Sequence, residues 1–183
     1  LQSFDPGDSE TVGFRFKPLN FSTTNIKNPE INIELSVRAR QPSLGKLFRE
    51  IDNYEEKKIK YGSSMQITGN ALYNSGAFVN TGPLPPKPGS PTTYTIVWNV
   101  VNGNNKISEA KATTTLPLYV TWKDKISPTS QDVTYNTSTH EVTWDIGTLE
   151  PFVGTSTSAR QVYFQVELNP SGSQSGSVVN LTS

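Results

Sequence analysis

Apolar side chains recur at every second position in several stretches of this chain, the spacing that turns one face of an extended strand towards a core. Tyr94, Ile96, Trp98 and Val100 form one such run, Val142, Trp144 and Ile146 another, and Val162, Phe164, Val166 and Leu168 a further one. Nearer the start, Val12, Phe14 and Phe16 alternate, as do Ile31, Ile33, Leu35, Val37 and Ala39, with Arg15, Asn32, Glu34 and Arg38 interleaved. Each of these stretches is a predicted strand. Asn102-Gly103-Asn104-Asn105, Ser127-Pro128 and Asn136-Thr137-Ser138-Thr139 supply turn chemistry between the later ones, at the spacing of a β-sandwich. The pattern changes between Ser43 and Lys58, where Leu44, Leu47, Phe48 and Ile51 fall at helical spacing ahead of Asp52, Glu55 and Glu56. This predicts a short connector helix over about 44–57, its apolar stripe packed on a neighbouring sheet.

From Asn80 to Pro91 the prolines at 83, 85, 86, 88 and 91 rule out a regular ladder, because proline has no amide hydrogen to donate. A stiff, extended strap is expected there, with a domain boundary close to it. The strands before the strap should belong to one module and those after it to another.

An internal correspondence bears on that organisation. Leu1-Gln2-Ser3-Phe4 with Gly7, then Val12-Gly13-Phe14-Arg15-Phe16 and Leu19-Asn20, parallels Leu149-Glu150-Pro151-Phe152 with Gly154, then Val162-Tyr163-Phe164-Gln165-Val166 and Leu168-Asn169. After each copy a gap leads to a further apolar stretch, Ile31 to Val37 in one case and Val178 to Leu181 in the other. The chain therefore reads as beginning inside one repeat and stopping inside the next. Strands without partners of their own must be completed by neighbouring sequence or by neighbouring copies, the latter by strand addition at a sheet edge.

Composition narrows the classes. Hydrophobic residues are 33% of the chain and charged ones 17%, which leaves the turn-rich remainder typical of β proteins. Lys plus Arg and Asp plus Glu each number 16, and no basic stretch is interleaved with aromatics, so nucleic acid is not the expected partner. No apolar run approaches the roughly 18 residues of a membrane helix, and the chain opens without a signal pattern. Cysteine is absent, which removes disulfides, thiolate metal sites and thiol nucleophiles. In an exposed-looking chain that absence leans towards a prokaryotic surface protein.

Gly82-Pro83-Leu84-Pro85-Pro86-Lys87-Pro88-Gly89, Thr93-Tyr94-Thr95-Ile96-Val97-Trp98, Leu116-Pro117, Tyr135-Asn136, Val142-Thr143-Trp144-Asp145-Ile146-Gly147 and Phe164-Gln165-Val166 together resemble an immunoglobulin-like surface repeat, the family catalogued as domain of unknown function eleven. The resemblance runs from about Ala71 to Ser183. It implies tandem immunoglobulin-like β-sandwich modules, found in long cell-wall-associated or secreted bacterial and archaeal proteins. Residues 1–70 would then be the C-terminal part of a preceding repeat plus connector. Residues 71–183 would form a repeat lacking its closing strands, since the sequence stops after Val178-Val179-Asn180-Leu181.

No catalytic constellation is legible. The lone histidine, His140, lies in a hairpin turn, and no Gly-x-Ser-x-Gly elbow accompanies it. Glu55 and Glu56 adjoin Lys57 and Lys58 on a wet surface, unlike the opposed carboxyls of a glycosidase. Asp5, Asp8 and Glu10 could hold calcium in one turn but lack the full loop signature. Lys17 or Lys111 could join an isopeptide bond if buried acids lay beside them. Asn20, Asn136 and Asn180 fit the N-glycosylation pattern, which this composition produces by chance. Trp98 and Trp144 are in phase with aliphatic neighbours and belong to the core, whereas Trp122, beside Lys123, Asp124 and Lys125, is the candidate exposed contact. The expectation is a non-enzymatic structural unit of an extracellular or cell-surface filament, stalk or lattice, its partners being copies of itself, with no catalytic, cofactor or metal site. The alternative is a ligand- or carbohydrate-binding adhesin module.

Overall fold

The computed structural model describes residues 5, 7–17, 25–42, 48–60, 62–174 and 176–182. Their regular structure is almost entirely antiparallel β: β1 (Glu30–Pro42), β2 (Phe48–Lys60), β3 (Met65–Leu72), β4 (Thr92–Asn102), β5 (Ile107–Thr115), β6 (Val120–Ser127), β7 (Asp132–Asn136), β8 (Glu141–Leu149) and β9 (Arg160–Leu168). A four-stranded sheet runs β3-β4-β9-β6, a three-stranded sheet runs β5-β8-β7, and among the described residues β1 pairs only with β2.

The alternating runs form the centre of both larger sheets. Ile96, Trp98 and Val100 on β4 and Val162, Phe164, Val166 and Leu168 on β9 face Val142, Trp144, Ile146 and Leu149 on β8, and all of them belong to one buried cluster. Trp98 meets Phe164 edge-on at 5.0 Å between ring centroids and lies 6.5 Å from Trp144, so aromatic rings join the two sheets. Leu116 and Val120 close the end of this core.

The order of the strands differs from the immunoglobulin-like one. Lettered A to G in chain order, β3 to β9 run A-B-G-D and C-F-E, whereas a constant-type immunoglobulin domain runs A-B-E-D and C-F-G. The seventh strand has taken the inner place beside the second, and the fifth has moved to an edge. Alternation reports which face of a strand is buried, and it carries no information about which strand sits alongside.

The strap does not separate two sheets. β3 and β4, on either side of it, pair from Met65↔Asn102 to Leu72↔Thr95, so the four-stranded sheet already begins at Met65. The strap instead covers the outer face of β4 and β9, where Thr93 and Thr95 are buried. Asn80 Nδ2 donates to the carbonyls of Leu72 and Tyr73 at 3.2 and 2.9 Å, and Gln165 Nε2 donates to Val79 O and Asn80 Oδ1, each at 3.0 Å. Thr92 Oγ1 donates to Pro83 O at 3.0 Å. Polar side chains thus replace the ladder that proline denies to this stretch.

The connector helix expected over about 44–57 is not formed at its described positions. Residues 48–57 belong to β2, and residues 43–47 lie outside the described residues. β2 runs in register with β1 over the full strand, from Pro42↔Phe48 to Glu30↔Lys60. Period two puts Phe48 and Ile51 on opposite faces, so the helical stripe is coincidental and the cross-strand ladder prevails. The Val12–Phe16 run is not a strand either: residues 8–17 are exposed and belong to no ladder among the described residues.

Candidate functional site

Two features of the molecule lack the covering that their sequences call for. The first is one side of the paired sheets. At the other side, where β6 and β7 are the edge strands, Trp122 stacks on Tyr135 at 5.6 Å with 17° between planes and contacts Phe164 at 5.3 Å. Tyr135 Oη also lies 2.9 Å from His140 Nδ1. Aromatic rings therefore shut that edge. At the β3–β5 side the three-stranded sheet falls short of the four-stranded one, leaving a cleft of about 370 Å³. Its lining includes Met65 and Ile67 of β3, Trp98 and Val100 of β4, Ala112 of β5 and Ile146 of β8, and Thr182 reaches it too. Opposite Val100 and Trp98 in the ladder stand Ile67 and Gly69, so this part of β3 presents the core-facing side of its pleat. Yet Met65 and Ile67 are 41% and 46% exposed, because nothing of the opposite sheet lies over them.

The second feature is the β1–β2 ribbon. Directly paired residues share a face, so Ile31, Ile33, Leu35, Val37 and Ala39 line one side opposite Ile59, Lys57, Glu55, Asn53 and Ile51, a face that is aliphatic along β1 and mixed along β2. The other side is charged: Arg38 pairs with Asp52 at 3.7 Å and Arg40 with Glu50 at 3.6 Å. Such exposed pairs contribute only about 0–1 kcal/mol each. Leu35 is 58% and Val37 53% exposed. The ribbon is fastened at its base, where Asn28 N donates to Asn104 O at 2.8 Å and Lys106 N donates to Asn28 Oδ1 at 2.9 Å.

The other candidate residues are scattered. His140 is half-buried at the β7–β8 turn, its Nδ1 engaged by the Tyr135 hydroxyl. Trp122 is half-buried and packed on the core, so it is not the exposed platform expected of it; its neighbour Lys123 is tied to Glu167 at 3.1 Å. Trp98 and Trp144 are buried, as their phase implied. Asp8 uses its carboxylate within the turn, accepting the Asp5 N–H at 3.0 Å. No group of three or more His, Cys, Asp or Glu among the described residues is placed to hold a metal ion. Lys111 is exposed and bonds Asp145 at 3.0 Å; that hydrogen bond and the carboxylate's charge raise its pKa. It therefore lacks the buried setting an isopeptide bond would need. Lys17 is likewise exposed. Asn136 and Asn180 are exposed, the former capping its turn by accepting the Ser138 N–H at 2.9 Å, while Asn20 lies outside the described residues. No helix among the described residues is long and apolar enough to cross a membrane.

The cleft was not foreseen, although a signal for it exists. Met65, Ile67, Gly69 and Ala71 alternate, as do Ala110, Ala112 and Thr114, but small residues and a glycine blunt the pattern. No family model, curated protein or solved structure matches the chain.

Proposed function

We propose that this chain is a structural unit of an extended extracellular or cell-surface assembly, in which neighbouring copies, joined in tandem or as separate chains, complete one another's sheets. One observation carries the reading. Phe14 and Phe164 occupy the same place in the internal correspondence, yet Phe164 is fully buried while Phe14 is 63% exposed. A side-chain pattern that one stretch buries within the chain is bare in the other. Val12 is 82% exposed and Phe16 48%, and Leu35 and Val37 on the aliphatic face of β1 add to this surface. Exposed apolar surface of this extent is a demand for a partner.

The β-sandwich reading rests on the two sheets that share a core, and the surface location and prokaryotic origin rest on the resemblance and the absence of cysteine. The immunoglobulin-like reading keeps its support in the motifs rather than in the strand order. The adhesin alternative loses its best contact, because Trp122 is engaged with Tyr135 and Phe164.

Electron microscopy of the chain across a concentration series tests the proposal. Elongated particles, lengthening as concentration rises and built of equivalent modules, are the expected result. Isolated particles of one size at every concentration would overturn it.

A further inference from the structure

We infer that the cleft between β3 and β5 receives the β1 strand of a second copy of this chain, which adds as a fourth strand to the three-stranded sheet. The inference rests on the assembly reading above and names its contact. Three observations converge on it.

The vacancy lies where a further strand of the smaller sheet would run. The larger sheet has four strands and the smaller three, and the missing position lies beside β5, across from β3. A strand there would lie over Met65 and Ile67, whose core-facing side is uncovered, and would place alternate side chains between the sheets. β5 and β3 are both edge strands, the element to which an incoming strand adds by main-chain hydrogen bonds.

The occupant has the required pattern. A strand filling that position needs apolar residues at successive alternate positions on one face and tolerance of water on the other. β1 carries Ile31, Ile33, Leu35, Val37 and Ala39 on one face and Glu30, Asn32, Glu34, Arg38 and Arg40 on the other. Among the described residues its aliphatic side is only partly covered: Ile31 and Ile33 are half-buried, and Leu35 and Val37 are more than half exposed.

The internal correspondence brings the start of that strand to the same place. Ile31 stands 17 positions after Phe14, and Leu181 stands 17 after Phe164. Val179 and Leu181 pack against the core, Tyr119 Oη donates to Asn180 O at 3.1 Å, and Thr182 stands at the cleft. At that spacing Leu181 and Thr182 answer to Ile31 and Asn32, so the first residues of β1 correspond to a segment that stands at the cleft in this chain.

Disulfide trapping tests the contact, and the absence of native cysteine removes background. One population carries Ala112→Cys, on the core-facing side of β5. A second carries a single cysteine at one β1 position, either on the aliphatic face (Ile33→Cys, Leu35→Cys, Val37→Cys) or on the polar face (Asn32→Cys, Glu34→Cys, Ser36→Cys). The two are mixed, oxidised and read by mass spectrometry, after thermal unfolding has confirmed that each variant folds. Paired residues on adjacent strands share a face, so mixed disulfides should form severalfold more at aliphatic-face than at polar-face positions. Equal yields from the two faces, or no disulfide from either, would overturn the inference. If microscopy still shows elongated particles, only the contact has failed; if particles stay isolated, the assembly reading has failed with it.

Discussion

Asn102 shows how a single buried amide can organise a junction. Its Oδ1 accepts the Ser63 hydroxyl at 2.9 Å, and its Nδ2 donates to Asn105 O at 2.7 Å, Glu150 O at 2.9 Å and Leu149 O at 3.4 Å. The side chain thereby gathers the end of β8, the β4–β5 turn and the approach to β3. Alanine at this position would strand those carbonyls away from water. Asn102→Ala should destabilise the fold by about 1–3 kcal/mol, measured from the urea midpoint. A change below about 0.5 kcal/mol, the ordinary range for surface substitutions, would contradict that role. Gly82 is another such point: φ is +103°, and a Cβ there would meet Pro91 O at 2.3 Å, so the strap can double back against β4 only with glycine. Neither residue advertises itself in the sequence, since Asn and Gly are ordinary turn residues until their neighbours are known.

Among the elements, the β1–β2 ribbon and the β4–β9 pair represent opposite ways of satisfying a strand. β4 and β9 hydrogen-bond on both edges, bury one face on the opposite sheet and are covered in part on the other by the strap. The ribbon has backbone pairing along one edge of each strand, solvent on both faces and exposed ion pairs across it. A two-stranded hairpin is marginally stable by itself. Hydrogen exchange on the dilute, unassembled chain should therefore strip the amides of β1 and β2 well before those of β4 and β9. Ribbon protection equal to that of β9 would mean that its aliphatic side is covered within the chain. Charge complementarity such as Arg38 with Asp52 was available to sequence reading as a sign of strand pairing. The apolar spacing of Leu44, Leu47, Phe48 and Ile51 points to a helix instead.

For the whole molecule, apolar side chains fall into two populations that their sequence patterns do not distinguish. Phe164 and Trp144 are fully buried in the shared core, whereas Leu35 has the same alternating context and stands in solvent. Phe164→Ala should cost about 3–5 kcal/mol of stability, as for other buried aromatic truncations. Leu35→Asp should change the unfolding midpoint by no more than about 0.5 kcal/mol equivalent while suppressing self-association. Loss of stability with Leu35→Asp at dilution would show that the ribbon supports the core of its own chain.

Local periodicity and the backbone limits of Gly, Pro and Asn were enough to establish a β-rich chain, to pick out the runs at its centre and to place several of its turns. They were also enough to bury Trp98 and Trp144, whose phase matches that of their aliphatic neighbours. Three-dimensional pairing was needed to put β9 between β4 and β6, to lay the strap over a sheet rather than between two, and to close one side with Trp122 while the β3–β5 side stays open. These are contacts between residues distant in sequence, and a period of two specifies a buried face without specifying its partner. The same limit explains why Val12–Phe16 and β1 read as core strands: their pattern records that they are to be buried, and in the proposed assembly the surface that buries them belongs to another copy.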